Sequence, residues 1–354
     1  MKVIPVSGPH TQTKNHITGI MLQVVLAVLP ATLFGLYLFG WPAINLFVIT
    51  LVSALFFEYI CLRLAGKSTA ILRDGSALLT AWLLAMTLPP WAPWWIGVVG
   101  AALAIILGKH VYGGLGQNVF NPAMLGRVAL LISFPVEMTT WVNVTPLLSI
   151  SAPDFMTGLE ITFSGLPPMD AYTGATVLGH VKTELSLNHL LPGILQDIYS
   201  DQDAWLGFMR GSLGETSSLL LMLGGVWLIF RGVISWTIPV AMLFSVFVVS
   251  TIFHQWNPAH YLSPWVHLSS GGLMCAAFFI ATDYVTSPNS TMGQLVFGCC
   301  CGLLIFIIRT WGGYPEGAAF AVLLMNAVTP LIDHYIKPRI YGRNRKGQPL
   351  ELKE

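Results

Sequence analysis

Apolar runs of up to roughly twenty residues recur along nearly the whole chain, and that length matches the hydrocarbon thickness of a bilayer. Backbone amides cannot be left bare in lipid, so runs of this kind fold as helices. Of 354 residues, 55% are hydrophobic, while Lys+Arg number 17 and Asp+Glu 16. So few charges cannot clothe the surface of a soluble enzyme of this size. The net charge of +1 also lacks the basic footprint of a nucleic-acid binder.

Spans are expected near 17–39, 43–64, 77–91, 94–108 and 122–134, then near 217–230, 233–254, 266–283, 292–309 and 316–333. The expected fold is therefore an all-α integral membrane protein of about ten transmembrane helices. It divides into a five-helix unit over 1–134, a segment over 135–212, a second five-helix unit over 213–336 and a basic tail over 337–354. The first apolar run exits into Gly40-Trp41-Pro42 and not into a small-residue cleavage site, so it is read as an anchor.

Basic residues favour the cytoplasmic ends of helices. Placing both termini in the cytoplasm gathers Lys14, Arg63, Lys67, Arg73, Lys109, Arg231 and the tail on that side. The 135–212 segment, rich in Asp and Glu, then faces outward. Its aromatics, Trp141, Phe155, Phe163, Tyr172 and Trp205, argue for an ordered segment packed on the membrane part.

At an offset of 199 residues Thr87 aligns with Thr286, Pro89 with Pro288, and Gly113-Gly114 with Gly312-Gly313. An odd number of helices separates the copies, so the second would be inverted relative to the first. Such architectures also serve channels and transporters, which is the rival functional reading. Pro89-Pro90 and Pro288 either line a central pathway or simply end their helices.

Five cysteines lie in apolar stretches without a metal-binding pattern and read as small buried residues. Gly298 and Gly302, four apart, read as a close helix–helix contact. Glu58, Asp283, Arg127 and Arg309 sit in or at the ends of spans, where charge is costly. Glu58 and Asp283 are candidates for ion coupling, with pairing to Arg63 as the plainer reading of Glu58. Arg127 is expected to snorkel or pair, and Arg309 to snorkel outward. His254 and His260, with Trp256 and Trp265, read as interfacial packing, since no third metal ligand stands near them.

The segment 135–212 contains Asp170-Ala-Tyr-Thr-Gly-Ala-Thr176. No His or Cys adjoins Thr176, so nothing local activates its hydroxyl, and chemistry there needs another protein. The stretch is similar to the D-x-x-[S/T]-G-A-T signature at which a flavin transferase attaches FMN through a phosphoester. With Gly113-Gly-Leu-Gly-Gln-Asn-Val-Phe-Asn-Pro-Ala123, the stretch His267 to Pro288, and Arg309-Thr-Trp-Gly-Gly-Tyr-Pro-Glu-Gly317, the chain resembles the D subunit of the Rnf electron-transport complex along its whole length. It resembles more distantly the B subunit of the sodium-pumping NADH:quinone oxidoreductase.

The resemblance implies a multi-pass protein of the bacterial inner membrane that carries covalent FMN on Thr176. Asp170, Thr173, Gly174 and Ala175 would form the recognition sequence, and Tyr172 is a candidate to stack on the ring. A second, non-covalent flavin or a quinone between the halves is left open. The implied partners are the other subunits of an ion-translocating ferredoxin/NAD oxidoreductase complex and the flavin transferase, with no nucleic acid. The chain has neither a G-x-G-x-x-G turn nor an iron–sulfur cysteine pattern, so it would relay electrons and not complete the reaction alone.

Overall fold

The computed structural model describes residues 16–165 and 175–337, whose regular elements are all helices. The first, α1, spans Ile17–Leu64 and breaks at Gly40, where φ is +70°. Gly40 tolerates that left-handed conformation, and Pro42 has no amide hydrogen to bond back to Leu38. Three carbonyls at the break find other donors. Leu147 N–H reaches the Tyr37 oxygen at 2.8 Å and Thr145 N–H the Leu38 oxygen at 3.0 Å. The Trp91 indole N–H reaches the Phe39 oxygen at 2.9 Å. The break thus falls where the sequence places the boundary between its first two spans.

Helix α2 spans Ser76–Thr87 and stops just ahead of the double proline Pro89-Pro90. Helix α3, Trp94–Ala102, runs directly into a π-helical turn at Leu103–His110. Helix α4, Pro122–Ser133, begins with proline in its first position, and Asn121 Oδ1 accepts from Ala123 N–H and Met124 N–H at 3.1 and 3.3 Å. That cap satisfies donors the helix cannot satisfy itself.

The intervening segment carries α5 Pro135–Thr139, α6 Phe155–Ser164, α7 Val177–Ser186, α8 Leu191–Ile198 and α9 Asp201–Leu206. It packs on the longer helices, as its aromatics suggest. Phe155 meets Trp41 edge-on at 5.2 Å between centroids, and Phe163 lies 6.1 Å from Trp94. Tyr199 Oη shares a 2.8 Å hydrogen bond with Ser269 Oγ.

The second part comprises α10 Ser218–Phe230, α11 Thr237–Trp256, α12 Pro264–Ser269, α13 Leu273–Cys275 with a π turn at Ala276–Ile280, α14 Thr291–Trp311 and α15 Ala318–Tyr335. The single helix expected over 266–283 is instead broken at Ser270-Gly271-Gly272. Gly271 has φ +72°, and a Cβ there would overlap Glu316 Oε1. The break exists to admit an ion pair. Beyond it, Leu273 to Ala281 are all buried, which matches an element apolar on every side.

Among the described residues four helices are long and apolar enough to cross a membrane: Ile17–Leu64, Thr237–Trp256, Thr291–Trp311 and Ala318–Tyr335. Helices α11 and α14 pack through small residues, as Gly298 and Gly302 predict. A Cβ on Gly298 would meet Ala241 Cβ and the Ile238 oxygen at 2.8 Å, and one on Gly302 the Met242 oxygen at 2.5 Å. The cysteines follow the expectation only in part: Cys275 and Cys301 are buried, Cys61 and Cys300 half-buried, and Cys299 exposed.

Candidate functional site

Asp170, Tyr172, Thr173 and Gly174 lie outside the described residues, whereas Ala175 and Thr176 lie within them. Thr176 is the N-cap of α7. Its Oγ1 accepts from Gly179 N–H at 3.2 Å, and the residue is only 6% exposed. The sequence motif points to the hydroxyl as a candidate attachment point and says nothing of its capping role. Behind it, Val177 and Val181 form a small apolar cluster with Leu191 and Ile194, which seats α7 on α8.

The N-terminal end of α7 gathers amide hydrogens and the positive end of the helix dipole, an environment suited to a phosphoryl group. A cleft of about 350 Å³ adjoins it, lined by Ala175, Val177, His180, Tyr199, Asp203 and Arg210 among others. Burial and the neighbouring Asp201 carboxylate push the Tyr199 hydroxyl up to about 12, against a smaller opposing effect from Ser269. Roughly one and a half turns along α7, Lys182 Nζ donates to three carbonyl oxygens: Ile308 and Arg309 at 3.3 Å and Tyr314 at 3.0 Å. Burial holds its ammonium below the usual lysine range.

Glu58 pairs otherwise than expected. Its partner is not Arg63 but Lys109, whose Nζ lies 2.7 Å from Glu58 Oε1 and 2.8 Å from Ser76 Oγ. Ser76 Oγ in turn donates to Asp74 Oδ1 at 2.6 Å. His110 Nε2 sits 2.9 Å from Glu58 Oε2, at an angle that aligns no hydrogen bond. The π turn is what presents Lys109 and its neighbour His110 toward one carboxylate. Lys109 and Ser76 also line a cavity of about 80 Å³ that reaches Asn118, Asn121, Thr282 and Asp283. There Asp283 accepts from Val285 N–H at 3.4 Å and from Thr286 Oγ1 at 3.3 Å. The two carboxylates singled out in the sequence therefore flank one mostly apolar cleft, Asp283 as part of its wall and Glu58 through Lys109.

That cleft lies between the two parts of the chain. Asn121 N–H donates to Asn326 Oδ1 at 3.0 Å, and Asn121 Nδ2 to the Ile280 carbonyl at 3.3 Å. Asn326 Nδ2 and Thr329 Oγ1 both donate to the Thr286 carbonyl, at 3.2 and 3.0 Å. Arg309 does not snorkel. It is 6% exposed, donates to the carbonyls of His267 and Ser270 at 2.7 and 2.9 Å, and pairs with Glu316 at 2.6 Å. Arg127, 7% exposed, is likewise inside, over the Trp141 ring at 6.0 Å. Sequence reasoning misses Lys109, His110 and Lys182 as functional candidates. Only Lys109 leaves a signal, a charge at the end of an apolar run.

Long apolar helices with ion pairs and amide networks buried between them define a polytopic helical membrane protein. The chain belongs to the NQR2, RnfD, RnfE family, which it matches over residues 5–342. It is 54% identical over 346 residues to the D subunit of the ion-translocating oxidoreductase complex of Halorhodospira halophila, covering 98% of this chain and 97% of that one. Its identity to the Rhodobacter capsulatus protein of the same description is 49% over 306 residues, 86% and 85% of the two chains. To that of Escherichia coli O17:K52:H18 it is 42% over 354 residues, 96% and 98%.

Proposed function

We propose that this chain is a membrane subunit of an ion-translocating oxidoreductase complex, carrying FMN covalently on Thr176 and relaying electrons between neighbouring subunits. The observation that carries the reading is Asp170-Ala-Tyr-Thr-Gly-Ala-Thr176 ending at the N-cap of α7, in a chain of this family. The residues present fit a phosphoester there: a threonine hydroxyl, the amide-rich helix end and an adjoining cleft. FMN supplies one- and two-electron chemistry when bound. The chain supplies position, a partly dry setting and fixed dipoles.

In this reading the two parts are inverted five-helix repeats in a bacterial inner membrane, with cytoplasmic termini and an outward 135–212 segment. Two features support it. The sequence offset between the repeats carries the two arms of α1, then α2, α3 and α4, onto α10, α11, α13, α14 and α15 in the same order. Lys182, in the segment placed outside, bonds to the end of α14 that the same topology places outside. Glu58, Lys109 and Asp283, around the opposite cleft, are the groups placed to couple an ion to electron transfer. A flavin transferase is the maturation partner.

The test is in-gel flavin fluorescence of the denatured chain, purified from cells that make the transferase, comparing wild type with Thr176→Ala. A fluorescent band lost in the variant is expected. No band in wild type, when a control substrate is modified in the same cells, sinks the reading.

A further inference from the structure

We propose that Lys182 is a latch that fixes Thr176 to the second part of the chain, so that the residue carrying the cofactor is a static mount and not a swinging arm. The cofactor half of this inference rests on the Thr176 reading above; the latch half does not. Thr176 caps α7 and Lys182 follows six residues on, about 9 Å along the axis. An ammonium has three hydrogens, and Lys182 directs them at three carbonyl oxygens, those of Ile308, Arg309 and Tyr314. Among the described residues no carboxylate stands within ion-pair distance of it.

The acceptors explain why a lysine serves here. Helix α14 ends at Trp311: the Ile308 carbonyl already accepts from Gly312 N–H at 2.9 Å and shares its second lone pair with the ammonium, the Arg309 carbonyl lies beyond the last helical donor, and the negative end of the dipole faces the ammonium. The post to which α7 is latched is itself tied down by buried hydrogen bonds. Arg309, whose carbonyl Lys182 takes, is tied through its guanidinium to the carbonyls of His267 and Ser270 and to Glu316. The first turn of α7 also approaches the same loop, since a Cβ on Gly179 would come within 3.8 Å of Pro315 Cβ. From Thr176 to α12 there is a continuous run of bonded groups, with no hinge in it.

A static mount makes the distance from flavin to neighbouring redox centres a property of this chain. A lysine that merely steadied the surface would affect the helix and leave the cofactor's freedom unchanged. The experiment separates these using the full chain, flavinylated and purified in detergent, as wild type, Lys182→Met and Lys182→Arg. Two quantities are read: hydrogen exchange of the α7 amides, and fluorescence anisotropy of the covalent flavin.

In Lys182→Met the flavin band should persist, α7 amides should exchange at least about tenfold faster, and the anisotropy should fall. Lys182→Arg, which keeps donors in reach, should restore most of both. Unchanged exchange in Lys182→Met overturns the latch. Faster exchange with unchanged anisotropy overturns the static mount. If wild type bears no flavin, the Thr176 reading fails, and exchange alone decides whether Lys182 holds α7. Should Lys182→Met not accumulate, Lys182→Gln, with two donors, is expected to lie between it and wild type; behaviour equal to wild type counts against the latch.

Discussion

Lys109 Nζ lies 2.7 Å from Glu58 Oε1, and the two side chains are 3% and 1% exposed. Both charges are buried, so each depends on the other. Glu58→Gln would leave a buried ammonium without its counter-charge, a loss of about 3–5 kcal/mol. Lys109→Met added to it removes the stranded charge and should recover much of the loss. The apparent melting temperature of the purified chain in detergent measures both. Equal losses in the single and double variants would show that a stranded Lys109 charge is not what destabilises the contact between α1 and the π turn after α3.

The glycines of α14 make a second test. Gly302→Ala places a methyl 2.5 Å from the Met242 carbonyl and must spread α11 from α14, at a cost of about 1–3 kcal/mol. Gly19→Ala meets nothing within 4 Å in α1 and should be neutral or stabilising by about 0.5 kcal/mol. Opposite signs in thermal unfolding are the expected result; like signs would assign the effect to helix propensity alone.

Thr176 is expected to do two separable jobs. Thr176→Asp keeps a side-chain oxygen at the N-cap but offers no hydroxyl for a phosphoester, so α7 should stay protected while the flavin band disappears. Thr176→Ala loses the band and also about 1 kcal/mol of capping. Hydrogen exchange of α7 beside in-gel fluorescence distinguishes them, and a flavin band retained in Thr176→Asp would place the attachment elsewhere.

Tyr199 gives a pH signature. Its hydroxyl is pushed up from 10 to about 12, so the folded chain holds that proton more tightly than the unfolded chain. The sign follows: its contribution is fully present below pH 10 and is lost as pH rises toward about 12. Protection of α8 and α9 in wild type should therefore weaken over that range, and Tyr199→Phe should flatten the dependence. An unchanged profile in Tyr199→Phe would mean that another group governs it.

What is legible in the sequence is what is local. Gly40-Trp41-Pro42 announces a break because both its causes, a left-handed φ and a missing amide hydrogen, belong to the residues themselves. Gly298 and Gly302 announce a close contact because their spacing is a helical turn. Glu58 cannot announce Lys109, 51 positions away, since the choice among Arg63, Lys109 and solvent is made by which helices become neighbours. The break at Gly271 is hidden for the same reason: Glu316, which occupies it, arrives from another loop. For the proposed attachment motif the chemistry is legible by resemblance alone, and geometry adds the cap at its last residue.

The elbow in α1 carries a consequence for biogenesis. Its bare carbonyls at Tyr37 and Leu38 are closed by amides of Leu147 and Thr145, which the ribosome delivers more than a hundred residues later. Until then those two carbonyls lack the donors they have in the folded chain. A carbonyl without a donor is costly in lipid, so the bend at Gly40 is complete only once residues 145–147 reach it. Residues 145–147 are therefore a late component of the bend between the two arms of α1, and removing them would leave the Tyr37 and Leu38 carbonyls without these donors.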